Sequence, residues 1–476
     1  MAAVVCAVTA LTGPRRGVAA LATLAALAAL TAGPMLAPPG GTVRRLSAAA
    51  AASGSDAPPE VFSSEPDRTW GTSPSENPAE AGRDKAGKVL ALAEVGKRIF
   101  VGGEFAGVTP PGVSTTSARG DPTPVVRRPY LVALDADSGA LLDWDAHPDG
   151  PVLSLAVSAD GRRLYVGGMF RSIGGGRAAR LAAVDVETGA ADPTFAPPTP
   201  NAYVKAMALS EATLYVGGAF TRLATVARPQ LAALNAATGA LVADWVPPRN
   251  TGGRFVGHTG TPTEDGNPGN VADLKVAAHG AVVVIGGSFL HFGGRSGLIV
   301  LDAHTARATA WQPVLDRPRP VYGLDIWPGD GKTVFAAAGG LGGAVEAFRP
   351  GAGTKPAWVH KVDGDGTDVA ATTARLYFVG HYDYVLGPNT TCGASSCAGG
   401  KPGDSPNRHI AAFDPLNGAQ DTSFTAQLNT PQGPEVALVG AHHLYVGGDF
   451  TKVNFDAHPG FAEFAATAGP SSAGTP

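Results

Sequence analysis

Few residues in this chain have types and spacing suited to chemistry, and most of them crowd around position 380. His381, Tyr382, Asp383 and Tyr384 are consecutive, and Arg408 and His409 follow after a loop. Aromatic rings, imidazoles, a carboxylate and a guanidinium together suit recognition of a sugar or another polar ligand. Glu104 and Asp449 fill the same variable position of a recurring VGGxF phrase. Two carboxylates facing one wedge have the composition of an acid/base pair, and Asp383 is a third candidate acid. Cys392 and Cys397 stand in CGASSC within a Gly/Ser/Pro-rich loop. In an oxidising compartment such thiols are expected to pair as a disulfide, and the loop offers too few further ligands for a metal.

Other signals fail on their own chemistry. DGKT at Asp330–Thr333 resembles the end of a phosphate loop, but Ile326 stands where the upstream Gly is required, so it reads as a hairpin turn. DGDGTD at Asp363–Asp368 alternates oxygens but lacks the remaining calcium ligands. His442 and His443 have no third ligand, and neither GxSxG nor HExxH occurs. No cofactor and no metal are expected. Arg128, Arg228 and Arg295 recur seven residues before the Asp or Asn of another repeated phrase and read as blade-to-blade contacts.

The elements that must position these residues are repeats. The phrase reads FVGGEF from Phe100, YVGGMF from Tyr165, YVGGAF from Tyr215, VIGGSF from Val284 and YVGGDF from Tyr445. Each copy belongs to a unit with several strand signals. In the second unit these are Val152–Ser158, Arg163–Phe170, Arg180–Gly189 and the short Asp192–Pro197. Units of about 50–60 residues built from strand-like words predict an array of small sheets. Gly-Gly within a strand weakens it unless backbones must approach closely, as sheets stacked around an axis would require.

The closing aromatics Trp144, Phe195, Trp245, Trp311, Trp358 and Phe424 mark the ends of successive units. The last unit runs out after FAEFA, while DRTWGT with Trp70 lies upstream of the first. The expected fold is therefore all-β: a seven-bladed β-propeller of four-stranded antiparallel blades. An N-terminal strand around Trp70 would close the ring and remove an exposed edge.

The phrases YVGGAF, LAALNAATGALVADW and DRTWGT resemble the delta-60 repeat family of bacterial β-propellers. The resemblance implies the fold, and export from the cell, often beside adhesion or surface modules. It implies no general catalytic activity. The fifth and sixth units depart from the pattern, with VFAAAGGLGG and YFVGHYDY.

Arg15 and Arg16 precede an apolar run from Gly17 to Ala32, the form of a signal peptide. The expected organisation is a signal peptide and leader at 1–52, a linker at 53–66, the propeller at 67–468 and a disordered tail at 469–476. The mature protein is expected to be secreted and monomeric, without stable membrane insertion. A net charge of -4 without a Lys/Arg run excludes a nucleic-acid surface. The three long insertions, Ala106–Arg127, Asn250–Asn270 and Asp383–Arg408, all fall on one predicted face. Loops held by a rigid scaffold carry binding, so this face is expected to take a glycan or protein ligand without catalysis. The alternative is an extracellular enzyme acting on a carbohydrate or other polar polymer through Glu104, Asp449 or Asp383.

Overall fold

The alternation of apolar and small residues produces strands throughout, and the computed structural model contains no helix among the residues it describes. These are 61–73, 86–113, 124–256, 261–263, 269–340, 342–387, 399–429 and 433–467. The strands build small antiparallel sheets, seven of which repeat one plan. Their first strands are Lys88–Val95, Val152–Val157, Val204–Ser210, Val271–Ala277, Val321–Ile326, Asp365–Ala371 and Pro434–Val439. Each first strand pairs with a second strand that carries the VGG phrase or its degenerate form, and the second pairs with a third. We number the sheets one to seven in chain order.

The Gly-Gly pair has a steric cause. In the five sheets that carry the pair, the first strand has a β-bulge opposite it, as between Val89 and Ala91 or Val204 and Ala206. A Cβ on the second glycine would strike the bulged backbone: at Gly218 it would lie 2.2 Å from the Tyr203 carbonyl oxygen. A Cβ on the first would strike the next sheet: at Gly217 it would lie 2.5 Å from Val271 Cγ1. The same relation at Gly447, 2.3 Å from Val89 Cγ1, sets sheet seven directly against sheet one.

The apolar core is divided accordingly. Separate buried clusters lie between sheets one and two, two and three, and onward to six and seven. A further cluster joins Val89 and Leu92 of sheet one to Tyr445 and Phe461 of sheet seven. Half-buried and buried carboxylates add ties between neighbours. Asp273 Oδ2 accepts from Leu324 N at 2.8 Å, Asp325 Oδ2 from Ala371 N at 2.7 Å, and Asp368 Oδ2 from Ala437 N at 2.9 Å. The oxygens of DGDGTD thus serve separate backbone groups, since Asp363 Oδ1 accepts from Tyr384 N and Asp365 Oδ1 from Gly340 N. Two of the recurrent arginines differ from expectation. Arg128 reaches Asp143 and Arg228 the Ala243 carbonyl, each beyond the third strand of its own sheet.

A fourth segment lies outside the third strand. In sheet five it is the strand Trp358–Lys361; elsewhere it is a bridge such as Leu134↔Leu141 or Val184↔Ala191. Most closing aromatics sit at or just beyond this segment and pack on the second strand, Trp144 on Phe100 at 4.9 Å, Phe424 on Tyr377 at 5.1 Å, and Trp358, which begins the fourth strand of sheet five, on Phe335 at 5.9 Å. In sheet seven this outer position is taken by the N-terminal end of the chain. Phe62 bridges Ala466, Asp67 bridges Glu463, and Asp67 N donates to Glu463 O at 2.8 Å. The pairing is displaced from Trp70. Residues 61–66, grouped with the linker on composition, carry much of it, and Gly71–Ser73 pair instead with Gly107–Thr109.

Several acids are buried in this framework. Burial pushes the Glu346 carboxyl up to about 7 despite Arg319 beside it. Burial, and then the charge of Asp67, push Glu463 up to about 8. Unfolded, both groups release their protons near 4.5. Between that pH and 7–8 the folded chain holds protons that the unfolded chain has lost, so raising the pH through this window favours unfolding. Glu435 acts oppositely. Its carboxyl is pulled down to about 2, so the stability it contributes is lost as the pH falls below 4.5. The melting temperature is expected to peak at about pH 5 and to fall by several degrees at about pH 8, with Glu463→Gln removing part of the fall. Thermal melts in which stability climbs steadily from pH 5 to pH 8 would contradict this.

Candidate functional site

The residues named around position 380 do not form one cluster. His381 ends a strand (Leu376–His381), and alternation along that strand sends neighbouring side chains to opposite faces. Its Nε2 lies 3.6 Å from Glu435 Oε1, which also pairs with Lys88. Tyr382 points into the core instead. It is 2% exposed, stacks on Phe378 with centroids 5.1 Å apart, and donates its hydroxyl to the Phe378 carbonyl at 2.7 Å. The Tyr384 ring lies against the backbone of Gly399, where an added Cβ would come within 2.4 Å of it. Both tyrosines, expected as surface contacts, therefore pack the long loop onto its sheet. Cys392 and Cys397 lie outside the described residues.

Tyr382→Ala is accordingly expected to destabilise the fold by about 3–5 kcal/mol. Tyr382→Phe, which loses one hydrogen bond, should cost about 1 kcal/mol. Equal urea midpoints for Tyr382→Ala and the parent would show that the ring is not part of the core.

Asp383, Arg408 and His409 do meet. With Gln427, Leu428, Asn429, Lys452, Asn454 and Phe455 they line an open cavity of about 180 Å³ between sheets six and seven. Asp383 and Arg408 are the two ends of the third long insertion. His409 is structural within it: the ring is 3% exposed, Nδ1 is 3.1 Å from the Gly380 carbonyl, and burial lowers its proton affinity. Asp383, Arg408 and Gln427 are exposed at the rim.

Phe455 escaped the sequence reading. It stands at the tip of a hairpin between Lys452–Val453 and Asp456–Ala457 and is 86% exposed. Its φ is 76°, in the left-handed region that strains a bulky side chain. The corresponding tip in sheet two is Gly175 and in sheet four Gly294. Replacing glycine by an exposed aromatic at a strained turn tip worsens folding, which makes this residue a candidate for contact with a ligand.

Glu104 and Asp449 both neighbour Lys88 but differ in setting. Glu104 is exposed and stands opposite Lys88 in the strand register. Asp449 is half-buried, interacts electrostatically with Lys88, Glu435 and His381, and burial pushes its carboxyl up. For Glu435, burial would raise the carboxyl, but the nearby His381 imidazole and the ion pair with Lys88 overcome it. Glu435 also interacts electrostatically with Lys205 and Tyr322, from sheets three and five. Lys205, Tyr322 and Glu435 are the bulge residues of their first strands. Glu435 is thus a carboxylate that neighbours Asp449. The shared bulge position is the sequence signal that could have found it.

Among the described residues no group of three or more His, Cys, Asp or Glu is placed to hold a metal ion. No protein-family model matches the sequence, and no curated protein matches it significantly.

Proposed function

We propose that the chain is a secreted, non-catalytic seven-bladed β-propeller of the delta-60 repeat kind. It binds a glycan or protein ligand through the loop face of blades six and seven. Several observations support the ring: the contact of Gly447 with Val89, the cluster shared by sheets one and seven, and the electrostatic reach of Glu435 to sheets three and five. Export rests on the leader, which lies outside the described residues. Among those described, no helix is long and apolar enough to cross a membrane.

The observation that carries the binding reading is the open pocket capped by Phe455. An exposed ring beside polar groups is the pattern that holds a sugar face by apolar contact and its hydroxyls by hydrogen bonds. The enzyme alternative has less behind it, because neither Glu104 nor Asp449 lines the pocket that Phe455 caps. A glycan array probed with the parent and with Phe455→Ala tests the proposal. Signals that disappear in the variant support it, and signals unchanged in the variant move the site elsewhere. If Glu104→Gln and Asp449→Asn abolished turnover of a bound glycan while sparing its affinity, the enzyme alternative would stand.

A further inference from the structure

We infer that the pocket between sheets six and seven takes an acidic sugar, a uronic-acid residue of a polysaccharide, which rests on the ligand-binding reading of the same pocket. The ring packs on Phe455 and the carboxylate lies between Arg408 and Lys452.

The polar groups of the pocket divide into those already engaged and those left for a ligand. Asn429 Oδ1 accepts from Thr451 N at 2.9 Å and from Lys452 N at 2.7 Å. Asn454 Oδ1 accepts from Gln427 N at 2.9 Å, and its Nδ2 donates to Ser64 O at 2.8 Å. These amides fix the loops. His409 is held neutral by burial and adds no charge. Among the described residues, by contrast, no hydrogen bond or ion pair engages the side chains of Asp383, Arg408, Gln427 or Lys452. Among the lining side chains two free cations and one free carboxylate leave a net positive charge, on a chain whose net charge is -4; the Glu65 carboxylate next to them is engaged by Asn454 Nδ2 at 3.2 Å. A neutral sugar would leave both cations without a partner. A carboxylate gives them charge-assisted hydrogen bonds, while Asp383 and Gln427 remain for ring hydroxyls.

The size and edges of the pocket favour a sugar over an acidic peptide. Its volume of about 180 Å³ is below the roughly 300–1,000 Å³ of pockets that enclose a whole drug-sized ligand, so one ring sits inside and the polymer runs over the surface. A peptide that docks by strand addition needs an unpaired edge. Here the strand Lys452–Val453 is paired on both sides, with Ala457 and Asp456 on one and with Leu428 and Asn429 on the other.

Calorimetry on the full chain tests this with three probes: tetragalacturonate, its neutral methyl ester, and pentaglutamate. The acid should bind at least about tenfold tighter than the ester, a preference of the size that charge-assisted hydrogen bonds supply. Arg408→Ala and Lys452→Ala should each remove most of that preference and leave the ester unaffected. Phe455→Ala should weaken acid and ester alike. Melting temperatures of the three variants, all altered at solvent-facing positions, confirm that the fold is kept. Equal affinity for acid and ester overturns the acidic assignment while leaving a glycan site in place. Binding of pentaglutamate as tight as the acid, with the same dependence on Arg408 and Lys452, overturns the sugar in favour of an acidic peptide. Binding of none of the three also overturns the assignment, and the broader reading of the pocket then rests on the array comparison with Phe455→Ala.

Discussion

Removing the chain through Gly71 is expected to cost at least about 5 kcal/mol of stability or to cause aggregation. The segment supplies the outer pairing of sheet seven, with Ser63 N donating to Ala465 O at 2.8 Å and Thr467 N to Val61 O at 2.9 Å. Without it the strand Phe461–Ala465 becomes an open edge, which invites pairing with another molecule. Phe62 contributes more than pairing. It is 2% exposed in the cluster with Tyr377, Phe424 and Phe464, and its N–H donates to the Tyr377 hydroxyl at 3.0 Å. A buried Phe→Ala change alone costs about 3–5 kcal/mol, so Phe62→Ala should reproduce a large part of the truncation. If chemical denaturation gave the same unfolding midpoint for the truncated and full chains, residues 61–71 would not close sheet seven.

Phe455 should produce an opposite pair of effects. Phe455→Ala is expected to weaken the ligand by about 1–2 kcal/mol or more, the usual loss when an aromatic anchor is truncated. Phe455→Gly should lose the ligand equally while gaining stability, by about 1 kcal/mol, because glycine adopts a φ of 76° without strain. Stability and function are then traded at one turn tip. Loss of stability in both variants with unchanged affinity would make Phe455 a structural residue, and the strained turn would need another explanation.

Much of the fold was legible because its determinants are local and repeated. The Gly-Gly pair announced a close approach, and Val271 against Gly217 is that approach. The N-terminal pairing was legible in kind but not in register. Phe62 lies in a Ser- and Pro-rich stretch whose composition hides a single apolar anchor, whereas Trp70 was conspicuous. The site was read less well. His381 and Tyr382 are adjacent at the end of a strand, yet one faces Glu435 and the other enters the core. Composition alone cannot decide which. Phe455 was overlooked because the VGGxF phrase directed attention to Glu104 and Asp449. Its signal lay in comparing VNFD with the glycine tips of other units, where a bulky residue at a positive φ demands a reason. The pocket as a whole joins a loop of sheet six to a turn of sheet seven. No single repeat contains it, which is why Lys452 and Gln427 carried no signal of their own.

Hydrogen–deuterium exchange with and without the strongest array binder tests most directly whether the loop face of sheets six and seven holds the ligand. Protection is expected in peptides covering Asp383, Arg408–His409 and Lys452–Phe455, with none at His442–His443 or the Asp160–Gly161 turn on the opposite face. Protection confined to that opposite face, with the Lys452–Phe455 turn exchanging as fast as in the free protein, would contradict the account.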